Sequence, residues 1–184
     1  PVGASDLLQK VMGFQTISTN QTVATSANMQ FVNMPGQNMF PADNDINGFS
    51  NNGILLTYNS AQVPGQFGLL DNTLVTPAVK NDGAVGLALD AAYSYASENN
   101  AEVFIYWSDS YKGNSIFNTA EWHSLDTSTA AKLALLGFAE NQFSRRQYSF
   151  NPGADFFIAI RVRQQVDNIN WRTQWKFDNL IIKN

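Results

Sequence analysis

Phe156-Phe157-Ile158-Ala159-Ile160-Arg161-Val162-Arg163 and Trp175-Lys176-Phe177-Asp178-Asn179-Leu180-Ile181-Ile182-Lys183 are the two stretches on which the fold turns. In the first, Phe156, Ile158, Ile160 and Val162 fall on one side and Arg161 and Arg163 on the other. That is the two-residue period of a half-buried strand. The second stretch alternates in the same way. Two such strands in the last third of the chain read as rim strands of an all-β antiparallel sandwich of the jelly-roll kind.

Working outward, further strands are expected near residues 53–59, 66–79, 84–96, 101–109, 119–125 and 143–150, with the quoted pair at 155–165 and 173–183. Turn chemistry separates them at Pro64-Gly65, Asn81-Asp82-Gly83, Asn99-Asn100, Lys112-Gly113-Asn114 and Asn151-Pro152-Gly153. Val11 to Ile17 and Asn28 to Met34 read as two earlier strands, and residues 1–20 as a candidate extended N-terminal arm. Residues 35–53 are dense in Pro, Gly, Asn and Asp and predict a long loop; so long a loop usually has a task or a bound ion. Residues 128–139 break the pattern. Their Ala and Leu content predicts a short helix, with Thr127 or Ser128 as its N-cap. No repeat and no linker divides the chain, so 1–184 reads as one domain.

Composition narrows the class. The apolar fraction of 44% supports a core, while charged residues make up only 14%, against roughly 25% in ordinary soluble domains. Asn, Gln, Ser and Thr replace them at the surface, as suits an extracellular β-protein. The net charge of −4 builds no field for phosphate, so nucleic acid is not an expected partner. Zero cysteines exclude disulfides and thiolate metal sites. No apolar run approaches the ~20 residues of a membrane span, so membrane insertion is not expected. The chain opens on Pro1 rather than Met, which reads as a mature or trimmed product, from which any signal peptide would already be gone.

Asp43-Asn44-Asp45-Ile46-Asn47-Gly48 is the sharpest local motif. Oxygen-bearing side chains at Asp43, Asp45 and Asn47 can converge on calcium, and Gly48 permits the turn. The twelfth position is Ile54 instead of a bidentate Glu, so an EF-hand is excluded. The choice left is another kind of calcium loop or an Asn/Asp-rich turn. Trp107, Tyr111 and Trp122 are the candidate ligand-binding residues: flat rings cover the apolar faces of sugars, and Tyr111 sits in the polar stretch Ser108 to Asn114 as the best exposed of them. The competing role for each is core packing, where aromatic rings bury large areas. Catalysis has thin support. His123 is the single histidine, no Gly-x-Ser-x-Gly occurs, and Gly83-Ala84-Val85-Gly86 opens a strand and is not a dinucleotide fingerprint.

Three passages carry a family resemblance. Leu70-Asp71-Asn72-Thr73-Leu74-Val75-Thr76-Pro77-Ala78-Val79, then Val103 to Gly113 followed by Trp122-His123-Ser124-Leu125, then Trp175 to Ile182 resemble the strands of choice-of-anchor J or cleaved-adhesin domains. These are similar in turn to galactose-binding-like and carbohydrate-binding jelly rolls. The likeness spans about residues 66–184. The family's opening Phe-Glu pair and its following Gly-Trp are not found in the N-terminal third. The resemblance implies an exported, non-catalytic module for adhesion or glycan binding at the cell surface.

These readings give a leading expectation: a secreted sandwich, not an enzyme, binding a glycan or a cell-surface protein, with a structural calcium. The alternative is a self-associating subunit of an extracellular filament or surface layer, adding its N-terminal strand to a neighbour's sheet edge. Lowest stands a polysaccharide lyase or hydrolase using paired ionisable groups, with His123 as the residue to test.

Overall fold

The computed structural model describes residues 5–6, 15–18, 21–22, 29–35, 52–58, 68–94, 101–129, 142–166 and 174–183. In chain order the strands are β1 (Ser5–Asp6), β2 (Gln15–Ser18), β3 (Gln21–Thr22), β4 (Met29–Pro35), β5 (Asn52–Tyr58), β6 (Gly68–Val75), β7 (Val85–Ser94), β8 (Ala101–Ser108), β9 (His123–Thr129), β10 (Ser144–Phe150), β11 (Phe157–Val166) and β12 (Gln174–Lys183). They form two sheets, and every pairing is antiparallel. Sheet A runs β10-β7-β12-β5-β4 with β1 added to β12, and sheet B runs β2-β6-β11-β8-β9 with β3 added to β6. The chain is an all-β antiparallel sandwich, as its alternation predicts.

The two sheets meet through one face of each. Val85, Leu87, Leu89 and Tyr93 of β7 and Trp175, Phe177, Leu180 and Ile182 of β12 come from sheet A. Val103 and Ile105 of β8 and Ile158, Ile160 and Val162 of β11 come from sheet B, with Phe156 just before β11. Fully burying one such side chain contributes roughly 1.5–3 kcal/mol, so this layer is the main store of stability. At one edge the sheets are also latched. Asp126 of β9 accepts a hydrogen bond from Tyr148 Oη at 2.8 Å and pairs with Arg146 Nη1 at 3.1 Å, both on β10.

The strand ends follow local chemistry. Pro77 has no N–H to continue the β6 ladder. The ladder is extended one step by Thr76, whose Oγ1 accepts from Ile158 N at 3.0 Å while its own N donates to Ile158 O. At the other turn Gly83 takes φ of 129° before β7 begins, a backbone that side-chain-bearing residues rarely adopt. In β12 the register shifts between Asp178 and Ile181. The bulge puts both Phe177 and Leu180 into the core.

Several expectations need correction. The two opening stretches are not rim strands: β11 and β12 are the middle strands of their sheets. Arg161 and Arg163 imitate a solvent-facing edge, but β6 supplies a carboxylate beside them. Residues 119–125 are not one strand, since Thr119–Glu121 is a 3-10 turn capped by Asn118 and β9 starts at His123. The helix expected from residue 128 does not begin there: Thr127, Ser128 and Thr129 are the end of β9, paired with Phe104, Val103 and Glu102 of β8. The rest of that stretch, 130–139, lies outside the described residues. Most of the expected N-terminal arm, residues 1–20, lies outside the described residues; of its described parts, β1 pairs with β12 and β2 with β6 in the same chain. Ile17 of β2 is buried.

Candidate functional site

The outer face of sheet B carries an arrangement that the inter-sheet core does not need. The pleat sends Phe157, Ala159, Arg161 and Arg163 of β11 to this side. In register beside them stand Val75, Thr73 and Asp71 of β6 on one flank, and Ser108, Tyr106, Phe104 and Glu102 of β8 on the other. The face therefore has an apolar half near Ala159 and a charged half near Arg163.

The apolar half is roofed by the segment that leaves β8. Tyr111, Phe117 and Trp122 fold back onto Tyr106, Ala159, Val75 and Ile17 as a second buried cluster. The rings meet at centroid distances of 5.0 Å (Tyr111–Trp122), 5.2 Å (Tyr111–Phe157) and 5.3 Å (Tyr106–Phe117 and Phe117–Trp122). Polar contacts fix the segment's path. Ser108 Oγ donates to the Glu121 carbonyl, Tyr111 Oη donates to the Asn114 carbonyl at 3.0 Å, and Asn114 Nδ2 reaches both Glu121 carboxylate oxygens at 2.9 and 3.0 Å. Gly113 takes the left-handed turn at φ of 80°. Asp109 accepts from Gly153 N at 2.8 Å, tying the segment to the turn before β11.

The charged half is centred on Asp71. Its carboxylate accepts both arms of Arg161, Nε to Oδ1 at 2.8 Å and Nη2 to Oδ2. The guanidinium of Arg161 also lies 4.5 Å from the Phe117 ring centre, a cation–π contact. Burial opposes its charge, but the hydrogen bonds and field of Asp71 outweigh that and hold Arg161 above its ordinary range. The Tyr106 hydroxyl is pushed up by burial, against the pull of Arg161 and Arg163. Arg163 is placed differently. Its Nε is buried, 3.4 Å from Asp71 Oδ2, and has no hydrogen-bond acceptor. Glu102 stands directly across from it on β8. Among the described residues the two form no ion pair within 4 Å, and the Glu102 carboxylate and the outer nitrogens of Arg163 find no other partner there, beside the half-buried ring of Phe104.

The residues singled out from sequence separate accordingly. Tyr111 and Trp122 come together, but each is only 7% exposed; Tyr111 is a roof residue and not an exposed platform. Trp107 points to the other face of β8, half-buried against the core, between Phe150 (5.0 Å) and the exposed His123 (4.3 Å). Asp43, Asp45 and Asn47 lie outside the described residues, and among the described ones no group of three or more His, Asp or Glu is placed to hold a metal. The Asp71–Arg161–Arg163–Glu102 set was not singled out. Its signal was present in the sequence: Asp71 is a carboxylate inside an apolar strand, and such a group is buried only with a partner.

Comparisons with known proteins bear on the fold. No family model matches the chain, and no curated relative matches it. Among solved structures, it is similar to the K3 cleaved-adhesin domain of Lys-gingipain from Porphyromonas gingivalis, with TM-score 0.55 and 15% identity over 99% of this chain and 98% of that one. It is similar to the K2 cleaved-adhesin domain of Lys-gingipain, with TM-score 0.56 and 12% identity over 100% and 99%. A third match is TmCBM61, solved in complex with β-1,4-galactotriose, with TM-score 0.52 and 10% identity over 94% and 89%. The chain thus has the β-sandwich fold of cleaved-adhesin domains and carbohydrate-binding modules. Among the described residues no helix is long and apolar enough to cross a membrane.

Proposed function

We propose that this chain is a secreted or surface-displayed, non-catalytic module that binds carbohydrate on the outer face of sheet B. One observation carries the reading: Arg163 and Glu102 face each other across β11 and β8 without pairing, beside the Phe104 ring. A sugar hydroxyl both donates and accepts, so one ring can take a hydrogen bond from the guanidinium and give one to the carboxylate. The aromatic ring covers the apolar side of the same sugar. Tyr111 and Trp122 serve this surface indirectly, by fixing the roof that holds Phe117 over Arg161. The fold it shares with a module crystallised with galactotriose supports the reading. The loop Asp43 to Gly48 stays in it as a calcium loop, on its sequence alone; chelation is expected to lower the melting midpoint, and an unchanged midpoint removes calcium from the account.

A glycan array followed by calorimetry on the best hit tests the assignment. Arg163→Ala is expected to weaken binding at least tenfold while the melting midpoint stays within a few degrees. Full affinity in that variant would move the site elsewhere.

A further inference from the structure

We infer that Glu102 makes this face discriminate against acidic sugars, so that its ligands are uncharged glycans; the inference rests on the binding reading above. Two carboxylates and two guanidiniums share the charged half of the face: Asp71, Glu102, Arg161 and Arg163. Their formal charges cancel. Within the set the roles are unequal. Arg161 is spent, with both arms on Asp71 and its cationic plane against Phe117. Asp71 is 5% exposed and already touched by both arginines. What faces outward is one donor group, the outer nitrogens of Arg163, and one acceptor group, the Glu102 carboxylate.

An ionised carboxylate only accepts hydrogen bonds. It matches a sugar hydroxyl, which has a proton to give, and opposes a uronic-acid carboxylate or a sulfate, which has none. A pair of arginines alone would favour the acidic ligand, because guanidinium–carboxylate forks are the strong charge-assisted pairs. Glu102 cancels that advantage: a ligand anion that reaches Arg163 also sits beside a like charge one strand away. At such separations the repulsion in a partly solvated site is worth about a tenfold change in affinity. Because it acts between partly exposed charges, it weakens as salt rises.

The test measures binding of β-1,4-galactotriose and of trigalacturonate, at 20 mM and 500 mM NaCl, to the full chain and to Glu102→Gln. A second variant, Glu102→Ala, guards against a local packing effect, and melting midpoints check folding. The expected result is that the unmodified chain prefers the neutral trisaccharide by about tenfold at low salt. Both variants narrow or reverse that preference, and the change shrinks at high salt. Equal or tighter binding of trigalacturonate by the unmodified chain overturns the inference and leaves the binding reading standing. So does a preference that both variants preserve. Failure of both sugars, and of every array glycan, overturns the binding reading and this inference together.

Discussion

Sheet B buries side chains on both of its faces, and the two layers differ in kind. The inner layer is mainly aliphatic and phenyl: Val103, Ile105, Ile158, Ile160, Val162 and Phe156 against β7 and β12. Apolar burial of this sort is non-directional and tolerates many sequences. The outer layer, under the 109–122 segment, is built from Tyr106, Tyr111, Phe117 and Trp122 with a buried ion pair beside it. Against the aliphatic floor of Ile17, Val75 and Ala159, these four bring a polar end or an oriented ring, so geometry is specified as well as area. The first layer makes the sandwich. The second holds one face of it in a defined chemical state, which is what a recognition surface requires.

Changes on each side should separate these roles. The largest loss of stability is expected for Phe156→Ala in the inner layer. Phe156 is fully buried and meets Phe150 edge-on at 5.4 Å, and its removal should cost about 3–5 kcal/mol in urea unfolding. A loss under 1 kcal/mol would mean that this layer is not the main core. Next comes Asp71→Ala on the outer side. It strands the Arg161 guanidinium under Phe117 without its partner, for about 3 kcal/mol, and should also abolish glycan binding. Stability lost with binding retained would break the link between the ordered outer layer and recognition.

The smallest effect concerns alkali and the inter-sheet latch. Tyr148 is pushed far above its ordinary range, first by burial and then by its hydrogen bond to Asp126. A tyrosine raised on folding stabilises the native state fully below its unfolded pKa. That contribution is lost as pH climbs from about 10 towards the folded value. Denaturation midpoints should therefore fall above about pH 10, and less steeply in Tyr148→Phe. Identical slopes in the two proteins would show that the latch does not carry this linkage.

The legible parts of the fold were those set by local pattern. Strand alternation and the turns at Asn81-Asp82-Gly83 and Asn151-Pro152-Gly153 placed β6, β7, β10, β11 and β12 within a few residues. What failed depended on distant partners. Arg161 and Arg163 look like edge residues until Asp71, ninety positions away for Arg161, is brought beside them. Tyr111 lies among Ser, Asp, Lys, Gly and Asn, a stretch that reads as exposed, yet the segment folds back and buries its ring. Thr127 to Thr129 have helix-cap chemistry, but the ladder to β8 outweighs a local preference worth only about 1 kcal/mol. The candidate site was the least legible feature, because its residues come from three strands and only the register places Glu102 opposite Arg163.

The central claim is that recognition occurs on the outer face of sheet B. Backbone amide NMR of the 15N-labelled protein, titrated with the best-binding array glycan, tests it most directly. The account predicts shift changes concentrated at Glu102, Phe104, Tyr106, Arg161 and Arg163. Changes centred instead on Trp107, His123 and Phe150, with the sheet B face silent, would contradict it.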